Sequence, residues 1–217
     1  MVTSMSEKNK SKIEYNTHTA LTIFFIFVIY TVMQILNLTT LSYYNWSDPF
    51  VLIVWFFPGI IGFFVLQKRG YNREECFLSF KALSKTGFLI LIISVIISLS
   101  FMLPSGIWSG WNWLEALVYA PGSGVSQELF FRCVLLPVCL EITNGRKHLA
   151  IFIHTILFGI WHIGVFCLAP WWIAILVVLV PSIAGYLWAL QVQRDKTVIY
   201  AIITHCLILV ISSMFTW

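Results

Sequence analysis

Charge is what this sequence has least of. Of 217 residues only 10% are charged, nine acids and thirteen bases, while 59% are hydrophobic and mean hydropathy is +0.89. A soluble domain carries about 25% charge, so the composition excludes a soluble globular protein and a disordered tail. The net charge of +4 does not make the chain a nucleic-acid binder, because its bases are thinly spread between apolar runs. Cysteine patterning is also missing. Cys76, Cys133, Cys139, Cys167 and Cys206 show no CxxC or zinc-ribbon spacing, and they read as free, apolar-like thiols. No internal repeat of the kind that marks many secondary transporters is visible. The first apolar run has no small-residue cleavage pattern and reads as an uncleaved anchor.

Long apolar runs are what the chain has in abundance. A membrane-crossing helix needs about 20 mostly apolar residues. Seven stretches qualify, at 18–38, 50–67, 87–104, 122–141, 149–168, 173–191 and 198–216. The expected fold is therefore all-α, a polytopic bundle of about seven transmembrane helices forming a single integral membrane domain over 1–217. The amphipathic stretch 112–121 predicts a short interfacial or re-entrant helix before the fourth span. Twelve of the thirteen bases fall on alternate loops: Lys8, Lys10 and Lys12; Lys68, Arg69, Arg73, Lys81 and Lys85; Arg146 and Lys147; Arg194 and Lys196. The positive-inside rule then places the tail 1–17 in the cytoplasm and the C-terminus outside. Trp46, Trp108, Trp111, Trp113, Trp171, Trp172 and Trp217 fall at the outer boundary, as an interfacial aromatic belt does. The connector 68–85 reads as an amphipathic segment lying on anionic headgroups. Gly185-x-x-x-Ala189 is a small-xxx-small pattern that lets helices pack closely, and Pro181 is expected to kink its span.

The remaining base, Arg132, lies inside the fourth span. Glu128 precedes it by four residues, on the same helix face, and can pair with it. Alone, such a pair is as consistent with a structural pin between helices as with a site. His162 follows Phe158 by one turn, with His154 a turn earlier again, about 12 Å from His162 along the axis. His205 lies in the last span, one turn before Leu209 and two before Ser212. Each histidine alone is ambiguous between packing and function. Together, one acid, one arginine and two histidines within three apolar spans are the parts of an acid–base site that activates water away from bulk solvent.

The ordered set resembles the CAAX-protease and bacteriocin-processing family (CPBP, or Abi) of intramembrane proteases, marked by EExxxR, then FxxxH, then HxxxN or HxxxD. Here the chain reads Gln127-Glu128-x-x-x-Arg132, Phe158-x-x-x-His162 and His205-x-x-x-Leu209. The resemblance covers 85–217, which makes this the motif-bearing core. Glu74-Glu75 is a decoy, since position 79 is serine. The resemblance implies that the first Glu and the FxxxH histidine activate water, that the later histidine and its polar partner hold the oxyanion, and that the second Glu and the arginine fix the geometry. It implies an endopeptidase acting on a membrane-associated peptide or protein precursor, in the plasma membrane of a prokaryotic cell. No cofactor is assigned; zinc is the disfavoured alternative.

Two positions depart from that pattern. Gln127 stands at the place of the general base, and an amide oxygen accepts hydrogen bonds but does not take a proton. Leu209 stands at the place of the polar partner. Three readings follow: an inactivated, Glu-to-Gln protease; a working member in which Glu128 or His162 serves as base; and a non-catalytic scaffold, regulator or bacteriocin-immunity protein on the same fold. A transporter or channel is the remaining class, disfavoured by the lack of repeats and of a polar stripe. Ser123 and Ser126 lie beside the motif, but a serine nucleophile needs a paired base.

Overall fold

A computed structural model describes residues 2–40, 49–102, 107–108 and 110–216 of the chain. Among the described residues eight α-helices carry the fold: α1 (Val2–Thr40), α2 (Pro49–Lys68), α3 (Lys85–Met102), α4 (Ala120–Phe130), α5 (Leu136–Ile142), α6 (Lys147–Trp161), α7 (Trp171–Asp195) and α8 (Ile199–Ser212). All seven expected spans are helical. By length and composition, Thr17–Leu36, Val51–Lys68, Lys147–Cys167 and Trp171–Asp195 can each cross a bilayer, and two shorter apolar helices, Lys85–Phe101 and Ile199–Ser212, accompany them. The chain is an integral membrane protein built as an all-helical bundle. Its surface agrees: Phe25, Ile53, Phe64, Phe88, Ile96 and Phe152 are exposed, an apolar exterior that water would not tolerate over so large an area.

The fourth span is the hub. It is continuous helix over 113–142, interrupted only by two π turns, Glu115–Tyr119 and Phe131–Leu135. The short helix expected before this span is present and runs directly into it. Pro121 does not break the helix: it sits in the first turn of α4, where its missing N–H is cheap, just after the π turn. Every residue over 130–139 is buried. A helix hidden on all sides belongs at the centre of a bundle. α2 and α8 pack on α4, while α7 packs on α3 and α6. Glycines set these close approaches. A Cβ on Gly62 would lie 2.6 Å from a Val134 methyl, and one on Gly124 would lie 2.9 Å from the Cys206 sulfur.

One span boundary needs correcting. The last span ends at Ser212, not 216; Phe215–Thr216 instead pair antiparallel with Ile107–Trp108. The connector between α2 and α3 folds as turns and coil over 69–84. The Asn72 side chain accepts the N–H groups of Glu74 and Glu75, and the Glu75 carboxylate accepts the Asn72 N–H, so these groups satisfy one another without a helix. Cys76 and Phe77 tuck inward, and the Val198 N–H donates to the Phe77 carbonyl at 3.0 Å. The tail before residue 17 is helical, since α1 begins at Val2. Of the expected aromatic belt, Trp108, Trp111, Trp113, Trp171 and Trp172 are exposed; Trp46 and Trp217 lie outside the described residues. α7 runs unbroken through Pro181.

Candidate active site

Glu128 and Arg132 project from the same face of the central helix, across the junction where α4 passes into the π turn. Single π turns inside α-helices occur frequently at functional sites. Both side chains are 0% exposed, and Glu128 Oε2 lies 3.1 Å from Arg132 Nε. That contact is an ion pair outside hydrogen-bonding angles, because neither atom has a hydrogen-bond partner. The other carboxylate oxygen, Oε1, lies 2.8 Å from Nδ1 of His205 on α8. One carboxylate thus serves two partners, Arg132 on its own helix and His205 on α8. The α4–α8 crossing at Gly124 and Cys206, one residue from His205, is what brings them into reach.

Arg132 is held on three sides. Its Nη2 donates to the Gly185 carbonyl at 3.4 Å, and its guanidinium lies 4.4 Å from the Phe158 ring centroid and 5.4 Å from that of Trp188. Desolvated arginine gains from such ring faces. Gly185 makes this possible: a Cβ there would lie 2.5 Å from the Phe158 ring and 3.2 Å from Arg132 Nη2. The small-xxx-small pattern does let helices approach, and here what approaches is the site itself.

His162 closes α6. Its Nδ1 lies 2.8 Å from the Phe158 carbonyl. A carbonyl only accepts, so Nδ1 carries the proton and Nε2 keeps its lone pair. The ring is half-buried, packed edge-on to Phe158 and Trp161, and within electrostatic range of His205 and Arg132. Phe158 is thus more than a motif spacer: its carbonyl sets the His162 tautomer while its ring supports Arg132. Gln127 is buried. Its Nε2 donates to Ser123 Oγ at 2.9 Å, while its Oε1 has no hydrogen-bond partner. Leu209 is half-buried one turn past His205, and its carbonyl accepts from Ser212 Oγ at 2.8 Å. The side chain itself adds no polar atom. Ser126 donates to the Ser123 carbonyl, and neither serine is paired with a base. Among the described residues no three His, Cys, Asp or Glu side chains converge to hold a metal ion.

Two contributors, Trp188 and Tyr30, were invisible in the sequence. Trp188 stacks on His205, with ring centroids 4.5 Å apart, and its Nε1 donates to Ser94 Oγ on α3 at 2.9 Å. Tyr30 of α1, outside the motif core, packs on Phe130, Phe131 and Trp161. The one available signal was position. Trp188 and Trp161, like Trp55, fall within spans and apart from the seven tryptophans at the outer boundary. His154 is fully buried, stacked at 6.5 Å on Phe158, and neither ring nitrogen has hydrogen-bonding geometry.

Residues 108–211 match the family model described as Rce1-like, type II CAAX prenyl endopeptidase. No curated protein and no solved structure matches the chain significantly. The matched stretch contains all three motif positions, and the fold draws Glu128, Arg132 and His205 into direct contact, with Phe158 and His162 against them. The segment that carries the site is thus similar to the Rce1-like, type II CAAX prenyl endopeptidase family, in line with the CAAX-protease (CPBP) resemblance of its motifs.

Proposed function

We propose that this chain is an intramembrane endopeptidase that hydrolyses a peptide bond of a membrane-associated peptide or protein precursor, using water activated at His162 and no metal. The observation that carries this reading is the hydrogen bond from His162 Nδ1–H to the Phe158 carbonyl, which leaves Nε2 as a proton acceptor at the edge of a buried charge cluster. In the proposed step Nε2 takes a proton from water while Gln127 Oε1 accepts the other O–H. The water oxygen bonds to the carbonyl carbon. Protonated His205 donates Nδ1–H to Glu128 and offers Nε2–H to the developing oxyanion. Glu128 and Arg132 hold His205 in place. The C–N bond then breaks, and the amine leaves with the proton held on His162. Each part is a role those groups perform in low dielectric. The same proposal places the N-terminus in the cytoplasm and the protein in the plasma membrane of a prokaryotic cell, with 1–217 as one membrane domain.

The test compares the parent chain with Gln127→Glu on a panel of membrane-associated precursors. A carboxylate at 127 adds a true base, so turnover should rise by about a hundredfold, the lower end of general-base effects. His162→Ala should abolish it in both forms. No cleavage of any precursor by either form would overturn the proposal. A second reading, a non-catalytic scaffold, regulator or immunity protein, is favoured by the Gln127–Ser123 hydrogen bond and by the apolar Leu209. A co-purifying partner that survives both Gln127→Glu and His205→Ala would support it.

A further inference from the structure

The proposed mechanism leaves one side of His205 unexplained. Its Nδ1 is fixed by Glu128, yet a single hydrogen bond leaves an imidazole free to rotate about that contact. The flat side of the ring lies against the Trp188 indole, with centroids 4.5 Å apart and planes tilted by 31°. Trp188 is 2% exposed and contacts the Arg132 guanidinium at 5.4 Å. The indole therefore touches both partners of Glu128 at once. It is itself tethered: Nε1 donates to Ser94 Oγ at 2.9 Å, and that hydroxyl donates onward to the Leu91 carbonyl at 2.7 Å. Ser94 is 0% exposed. A buried indole N–H takes a partner where it can, and here the partner sits on a third helix.

We propose that Ser94 and Trp188 are positioning residues for His205. The ring of contacts runs from Ser94 on α3, to Trp188 on α7, to His205 on α8, to Glu128 and Arg132 on the central helix, and back to Trp188. Ser94 sets the plane of the indole, and the indole sets the plane of the imidazole. The hydroxyl has no contact with substrate in this scheme; it acts through Trp188. The inference rests on the role given to His205 above, but its structural half is testable without turnover.

The experiment uses the full chain in lipid nanodiscs with isotope-labelled histidine. There are five histidines, and the His205 signals are assigned by their loss in His205→Gln. Stacked on an indole face, the His205 ring protons carry a ring-current shift. Ser94→Ala removes only the tether and should move the His205 ring signals toward unshifted values. Ser94→Thr keeps the oxygen and should restore them, and Trp188→Phe should abolish the indole shift while leaving the other four histidines in place. In the Gln127→Glu background, Ser94→Ala should lower kcat by about tenfold with KM held within about twofold, the split expected of lost transition-state geometry. His205 signals unchanged in Ser94→Ala would overturn the proposal, as would signals that move without any fall in kcat. If no form cleaves any precursor but the signals still move and Ser94→Thr restores them, the positioning pair stands and the protease reading fails.

Discussion

A carboxylate with no water around it is stable only through its partners, and Glu128 has two. Removing it leaves Arg132 as a charge buried without compensation, which costs about 3–5 kcal/mol. Glu128→Gln should therefore lower the unfolding midpoint in mixed micelles sharply. Arg132→Met should do the same, while the double substitution should cost less than the two singles added together. Additive losses would show that the pair is not coupled. The pair was legible in the sequence because four residues on a helix share a face. Its link to His205, 77 positions away, was legible only through the motif order. Trp188 was not legible, because tryptophan in an apolar span has no pattern that separates a stacking partner from core. Gln127 cut both ways: the sequence fixes its inability to act as a base, but only the fold reveals that its amide nitrogen is occupied by Ser123.

Three of the helix crossings in this bundle pass at a glycine. Gly62 faces Val134, Gly124 faces Cys206, and Gly185 faces Phe158 and Arg132. Gly185→Ala should cost about 1–3 kcal/mol, the usual range for overpacking, read as a lower unfolding midpoint. It should also impair any turnover, since the added methyl displaces the rings that seat Arg132. A Gly185→Ala protein with unchanged stability would mean that α7 shifts aside freely. The small-residue motif announced one of these crossings; the others lacked a repeat to flag them. The π turns were equally silent, because they arise from packing around a helix and not from residue preference. The same is true of the early stop at Ser212. Phe215 and Thr216 leave the helix and pair with Trp108 and Ile107, a long-range partner that no local pattern announces.

For the whole molecule, composition alone was decisive about the membrane, while sidedness remains a proposal with a direct test. Cys167 is exposed and Cys76 is fully buried. In the proposed topology Cys167 lies near the outer boundary and Cys76 on the cytoplasmic side. A membrane-impermeant maleimide added to intact cells should label Cys167 and spare Cys76; label at Cys76 would invert the topology. Burial, reinforced by Glu75, also pushes the Cys76 thiol up to about 11 from an ordinary 9.0. Its thiolate is the reactive form. In permeabilised membranes alkylation of Cys76 should stay slow at pH 8 and accelerate as pH climbs toward 11. The raised value favours the folded, protonated state, so this contribution to stability is complete below about pH 9 and is lost between 9 and about 11.

The π turn at Phe131–Leu135 has a consequence for how such a chain changes over time. It holds one residue more than α-helical phase requires. The part of the helix before it aims Glu128 at α8, and the part after it aims Glu141 at Tyr71, whose hydroxyl it binds. Losing one residue beyond Arg132 would rotate the far end by about 100° and draw it in by about 1.5 Å, leaving the near end where it was. A single-codon insertion or deletion in this stretch is therefore an adjustable coupling between two ends of one helix. The chemistry at one end and the anchoring at the other can drift independently of each other.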